Sequence, residues 1–213
     1  MSNAFTTLTG AAVPYLEENV STNVISLQRP HGEDGYDDPR DELFFGLRFD
    51  DDGKEITDFI FNKPQFREAK FIIAGANFGC ASSRENAVTA LRGFGIRCVI
   101  APSMGDIFFN NCFKFGVLPI VLPGQDVLTL AKDAAPGSPS AIFTADLTNN
   151  ELLTPSGQKF DIPLPAFRRQ QLLEGLNEID LTLQRADEIA TFHDTAWTRH
   201  PWIYAVQTLE KSS

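Results

Sequence analysis

Cysteine is scarce in this chain: Cys80, Cys98 and Cys112 are the only three in 213 residues, and no two stand in a CxxC pair. That excludes a zinc or iron–sulfur motif within the chain and suits a reducing cytoplasm rather than a disulfide framework. Histidine is equally scarce, and His31, His193 and His200 have no metal-ligand spacing, so no metal site is expected. No apolar run approaches the roughly 20 residues that span a bilayer. The start lacks a basic stretch followed by an apolar one, so neither leader nor membrane anchor is expected. Cations are outnumbered, with 18 Lys and Arg against 28 Asp and Glu and a net charge of −10. That balance argues against nucleic acid or an anionic membrane as partner, because both are met by Lys and Arg. A small anionic substrate stays open, since a few arginines make a site locally basic. There is no Walker-type phosphate loop, no internal repeat and no low-complexity tract.

What is present is a globular composition, 43% hydrophobic and 22% charged. The chain reads as one domain over 1–213, with a body over 5–165 and a helical extension over 166–213. Residues 5–16 suggest a strand. Residues 30–42, rich in Gly, Pro and acids, read as a surface loop. The middle is the most regular part. Lys70–Gly75, Arg97–Ala101 and Val117–Leu122 are short apolar runs that read as buried strands. Between them lie helical patterns at 82–95 and 106–115. Strand, helix, strand, helix, strand is the signature of an α/β fold. From 141 to 164, β-branched and aromatic residues around turns at Asn149-Asn150 and Ser156-Gly157 read as antiparallel strands. Residues 166–175 and 182–192 read as C-terminal helices.

The segment Asn77–Asn86, NFGCASSREN, falls between a predicted strand and a predicted helix. Ligands of open α/β sheets bind beyond the carboxyl ends of strands, where helix N-termini offer unpaired N–H groups to anions. Arg84, placed by the pattern in the first helical turn, opposes the helix dipole there, and gripping a carboxylate is its natural use. A plainer reading is that Ser82-x-x-Glu85 is a capping box. A third is that Cys80 is a nucleophile on a strand-to-helix turn, a stand-alone thiol enzyme.

NFGCASSRENA resembles NFGCGSSREHA of the small subunit of bacterial 3-isopropylmalate dehydratase, in the aconitase superfamily. The likeness extends in order through Val99–Ser103, Asp106–Phe108, Asn111–Phe113, Leu118-Pro119, Ala166–Arg169, Gly175-Leu176 and Leu181–Gln184, which are similar to that family's VIAPS, DIF, N–F, LP, AFRR, GL and LTLQ series. The resemblance implies a swivelling three-layer β/β/α domain with C-terminal helices. It implies a large subunit that carries a 4Fe–4S cluster, no cofactor bound by this chain, and an active site completed between the two. The implied reaction is a hydro-lyase isomerisation of 2-isopropylmalate to 3-isopropylmalate in leucine biosynthesis. The first serine of the SSRE motif, Ser82, would be the base, and Arg84 would stabilise its alkoxide and the substrate carboxylate. Ala81, Ser83, Asn77 and Arg29 would be substrate contacts.

The sequence departs from the family near its start. The family's NxDTDxIxP becomes Asn19–Leu27, with Ser21 and Asn23 in place of the aspartates. That stretch leads into the loop that reads the substrate's alkyl group, so a related 2-hydroxy diacid, of citramalate or dimethylmalate type, is an alternative. Ala81 replaces the motif glycine and Asn86 the motif histidine. The loop at 26–42 is expected to lack order without the partner, and the isolated chain to self-associate. The 18 phenylalanines read as core or interface, and Arg168-Arg169 as structural.

Overall fold

The three apolar runs of the middle segment become the parallel core of one sheet. In the computed structural model, residues 4–27, 39–81, 84–135 and 141–204 are described. Strands β1 (Thr7–Tyr15), β2 (Phe71–Ala74), β3 (Cys98–Ala101), β4 (Leu118–Val121), β5 (Ile142–Asp146), β6 (Glu151–Leu153) and β7 (Lys159–Asp161) form a seven-stranded sheet in the order β4-β3-β2-β1-β5-β6-β7. β1 to β4 pair in parallel with one another, whereas β5 is antiparallel to β1, and β5, β6 and β7 pair antiparallel in turn. The long strand β1 joins the two halves. Its first part, Thr7–Ala11, pairs with β5, and its last part, Ala12–Tyr15, pairs with β2. The expected α/β class is therefore observed, with an antiparallel half appended.

The parallel strands are buried on both faces, which is why their sequences run apolar without alternation. Successive side chains go to opposite sides. Val13, Ile72, Ala74, Val99 and Ala101 pack with Ala87, Val88, Ala90, Leu91 and Phe94 of α3 (Asn86–Phe94). Ala12, Phe71, Ile73, Cys98 and Ile100 pack with Val127, Leu130 and Ala131 of α5 (Gly124–Asp133). Between these helices in the chain lies α4 (Asp106–Lys114), which contributes Phe108 and Cys112 to the first cluster and Phe113 to the second. Most of the phenylalanines are buried in these clusters or packed against them, whereas Phe167 and Phe192 are exposed. Phe44, Phe59, Phe61, Phe94 and Tyr15 gather in one group, with Tyr15 and Phe44 ring centroids 5.0 Å apart.

Two short helices, α1 (Thr22–Ile25) and α2 (Phe45–Arg48), lie on either side of residues 28–38. That stretch lies outside the described residues, and with it most of the 26–42 loop and Arg29. The two ends of the loop are held together. Ser26 and Leu43 form an antiparallel bridge, the Phe44 N–H donates to Ile25 O at 2.9 Å, and Ser26 Oγ donates to Glu42 Oε1 at 2.6 Å.

The chain divides into two compact units, Met1–Gly175 and Leu176–Ser213. Helix α6 (Ala166–Glu174), assigned from sequence to the extension, is fastened to the first unit. The Phe5 N–H donates to Leu172 O at 2.8 Å, and Arg169 donates to the carbonyls of Leu147 and Thr148 at the β5–β6 turn. Arg168 lies over the Phe113 ring and bonds Asn110 and Gln171, so both arginines have the structural role read for them. In the second unit, the single helix expected over 182–192 is divided among α7 (Glu178–Leu183), α8 (Ala186–Arg199) and a last turn, α9 (Pro201–Tyr204). Asn177 and Asp180 form a reciprocal capping box that starts α7. No helix among the described residues is long and apolar enough to cross a membrane.

Candidate functional site

Because β1, β2 and β3 are adjacent and parallel, the loops after them emerge side by side at the carboxyl edge of the sheet, the edge where open α/β sheets bind ligands. The motif segment is the middle one of the three, and it is tied to both neighbours. On one side, Asn19 N–H donates to Ala76 O at 2.9 Å, Gly79 N–H to Val20 O at 2.8 Å, and Thr22 N–H to Cys80 O at 3.0 Å. On the other, Phe78 N–H donates to Ser103 O at 3.1 Å and Gly105 N–H to Phe78 O at 2.9 Å. The Asn77 N–H donates to Ser103 Oγ at 2.8 Å. Bridges Ser21–Cys80 and Phe78–Met104 thus continue the parallel pairing past the ends of the strands.

Side chains anchor the same segment. Phe78 is buried edge-on against Phe108, with centroids 5.5 Å apart. Gly79 lies so close to that helix that an added Cβ would stand 2.2 Å from Phe108 Cγ, and its φ of +72° is the left-handed region that glycine adopts freely. Two non-glycine residues of this segment are left-handed as well, Asn77 at φ 56° and Ala81 at φ 72°, and so is Asn19 opposite, at φ 56°. Asn77 Nδ2 donates to Asn19 Oδ1 at 2.8 Å, joining two of these strained residues through their side chains.

The sequence-derived site is brought together in part. Asn77, Ala81 and Arg84 all lie exposed on this loop, before α3. Ser82 and Ser83 fall outside the described residues, as does Arg29, so the structure places the flanks of the serine pair. Two local expectations are corrected. α3 starts at Asn86, so Arg84 precedes the helix rather than sitting in its first turn. Glu85 holds the N-cap position instead of the third helical one, and its side chain makes no capping bond there. Its carboxylate goes to Lys114 on α4, with Nζ 3.3 Å from Oε1, so tertiary pairing wins over the capping box.

Cys80 is half-buried, and its Sγ donates to Asn19 O at 3.5 Å. The histidine of the first unit, His31, lies outside the described residues. Cys98 and Cys112 are buried, and desolvation pushes both thiols up and away from reactivity. Among the described residues no group of three His, Cys, Asp or Glu side chains could hold a metal ion. Asn19 and Ser103 are the site residues that the sequence reading passed over. Two signals pointed to Asn19: it stands where the family's NxDTDxIxP stretch has its first asparagine, and asparagine tolerates the left-handed region better than most.

Comparison with known proteins points to one family. The family described as the aconitase C-terminal domain matches residues 2–125. The 3-isopropylmalate dehydratase small subunit of Paramagnetospirillum magneticum is 49% identical over 199 residues, 93% of this chain and 98% of that protein. The small subunit of the same name from Roseobacter denitrificans is 45% identical over the same shares. Among solved structures, 3-isopropylmalate dehydratase from Methanocaldococcus jannaschii matches with a TM-score of 0.58 over 87% of this chain and 98% of that one. At 23% identity it speaks for the fold alone. With the motif loop at the carboxyl edge of the sheet and relatives near half identity along almost the whole length, the chain belongs to the family of 3-isopropylmalate dehydratase small subunits.

Proposed function

We propose that this chain is the small subunit of a cytoplasmic heteromeric hydro-lyase. It takes 2-isopropylmalate to 3-isopropylmalate by removing water and adding it back, the step of that name in leucine biosynthesis. The observation that carries the reading is the stitched loop Asn77–Ala81, which leads into Ser82, Ser83 and Arg84 beyond the carboxyl end of β2. A 4Fe–4S cluster on the large subunit supplies, when present, a Lewis acid for the substrate hydroxyl. This chain supplies the base and the anion-binding groups. Ser82 Oγ takes the proton from the methylene carbon beside a carboxylate as the hydroxyl leaves the neighbouring carbon, giving an alkene; on rehydration the hydroxyl of water joins the carbon that lost the proton, and Ser82 delivers a proton to the carbon that lost the hydroxyl. A serine is a poor base at neutral pH. Its alkoxide is held by backbone N–H groups of Ala81–Ser83 and by the Arg84 guanidinium, which also receive the substrate carboxylate.

The test is anaerobic reconstitution with the large subunit of the same source, following alkene absorbance with 2-isopropylmalate, citramalate and dimethylmalate in parallel. Turnover of 2-isopropylmalate by the pair and by neither chain alone is the expected result. Preference for another diacid would move the assignment to that substrate, a reading favoured by the exposed Asn23 and by Ser21 in place of the family aspartates. Ser82→Ala is expected to lower kcat at least about 100-fold in an assembled complex. Cys80→Ser is expected to stay within a few-fold of the parent. The reverse pattern would replace this mechanism with thiol chemistry.

A further inference from the structure

We infer that Asn19 is a positioning residue of this active site, acting through a carboxamide brace with Asn77. The inference rests on the hydro-lyase reading for its kinetic consequence, but the brace itself rests on geometry alone. Asn19 stands on the loop after β1 and Asn77 on the loop after β2. Both hold left-handed backbone at φ 56°, and their side chains meet, Asn77 Nδ2 to Asn19 Oδ1 at 2.8 Å. The backbone of Asn19 is used on both sides as well. Its N–H goes to Ala76 O at 2.9 Å, and its carbonyl receives Cys80 Sγ at 3.5 Å. One residue therefore touches the motif loop before its turn, within it and after it.

Left-handed backbone is strained for a non-glycine residue, less for asparagine than for alanine, and it persists where the surroundings over-determine it. Three of the five non-glycine positive-φ residues described, Asn19, Asn77 and Ala81, belong to this one loop pair. The brace fixes the course of Gly79–Ala81, the segment that runs directly into Ser82. It also gives Asn77 a role other than substrate contact: one N–H of its carboxamide goes to Asn19, and through that bond it shapes the loop. Placing the base to within a fraction of an ångström affects the chemical step more than the binding step.

The experiment uses the reconstituted two-chain complex, with Asn19→Gly, Asn77→Gly and the double variant. Glycine keeps the left-handed backbone without strain and removes only the carboxamide. Each single variant is expected to lose about tenfold in kcat with KM within twofold, and the double to lose no more than either single, because the two side chains act as one unit. A parent-like kcat for Asn19→Gly, or a double-variant loss equal to the product of the singles, overturns the brace. A loss in KM alone for Asn77→Gly returns that residue to substrate binding and overturns it too. A second readout needs no turnover. Cys98 and Cys112 are buried, so iodoacetamide labelling mapped by mass spectrometry reports on Cys80. Asn19→Gly and Asn77→Gly are each expected to speed Cys80 alkylation several-fold at unchanged far-UV circular dichroism, and an unchanged rate overturns the brace. Absence of turnover by the parent complex would count against the hydro-lyase reading and leave the alkylation result to decide the brace.

Discussion

Ala81 is held at φ 72° where its relatives' motif, as quoted above, carries glycine. An alanine there bears roughly 1–2 kcal/mol of left-handed strain, of which the lower backbone entropy of its unfolded state returns about 0.5–1 kcal/mol. Ala81→Gly is therefore expected to stabilise the protein by about 0.5–1 kcal/mol, or ~1–4 °C in melting temperature for a chain of this size. Equal or lower stability in urea titration would show that the strain is relieved elsewhere. At this scale the sequence was only partly legible. The motif named Ser82, Arg84 and Asn77, because those residue types recur in a family. Asn19 went unread because its use depends on a partner 58 positions away, and Glu85 was misread because Lys114, 29 positions away, outbids the local cap.

Among the elements, the foot of the 28–38 stretch is fixed by a buried polar cluster. Arg48, at the end of α2, is 4% exposed. Its Nε donates to Asn62 Oδ1 at 2.9 Å and its Nη1 to Arg40 O at 2.6 Å, and its guanidinium lies 5.1 Å from the centre of the Phe94 ring on α3. Desolvation lowers its pKa, while Asp41 and Glu55 oppose that. Asn62 returns two bonds through Nδ2, to Arg48 O at 2.6 Å and Ile56 O at 3.0 Å. The cluster thus ties the segment after the loop to the helix that follows the motif. Asn62→Ala takes the partner from a buried guanidinium N–H and the second bond from two carbonyls, which keep the N–H groups of Ile56 and Phe59, and is expected to cost about 1–3 kcal/mol. A loss under about 0.5 kcal/mol in chemical denaturation would mean that water or rearrangement replaces the carboxamide. The strands were the readable elements, because continuous apolar runs between breakers leave little choice once both faces are buried. Helix starts were less readable. Glu85, expected at the third helical position of a box, stands at the N-cap of α3 and pairs with Lys114, whereas Asn177 and Asp180 close a reciprocal box at the start of α7.

On the scale of the whole molecule, the division into units sets what the fold needs. Both apolar clusters of the sheet draw on residues no later than Leu173, with Leu172 buried at the end of α6. The first unit ends at Gly175, which closes α6 in a left-handed turn and leaves its last carbonyls bonded. Within the second unit, by contrast, large apolar side chains lie in the open, Ile179 at 70%, Phe192 at 64% and Trp202 at 68% exposure. Such a unit adds little buried area of its own to the stability of the chain. A chain ending at Gly175 is therefore expected to fold on its own, with one cooperative melt and a far-UV spectrum short of helix but not of strand. A cut at Pro165 instead removes α6. That strips the Leu172 carbonyl from the Phe5 N–H, the Arg169 bonds from the β5–β6 turn and the Arg168 ring contact from α4, and such a chain is expected to melt lower and less cooperatively. The pair of truncations decides where the domain ends: equal melting of the two would return α6 to the extension, and failure of the longer one to fold would make the second unit part of the core.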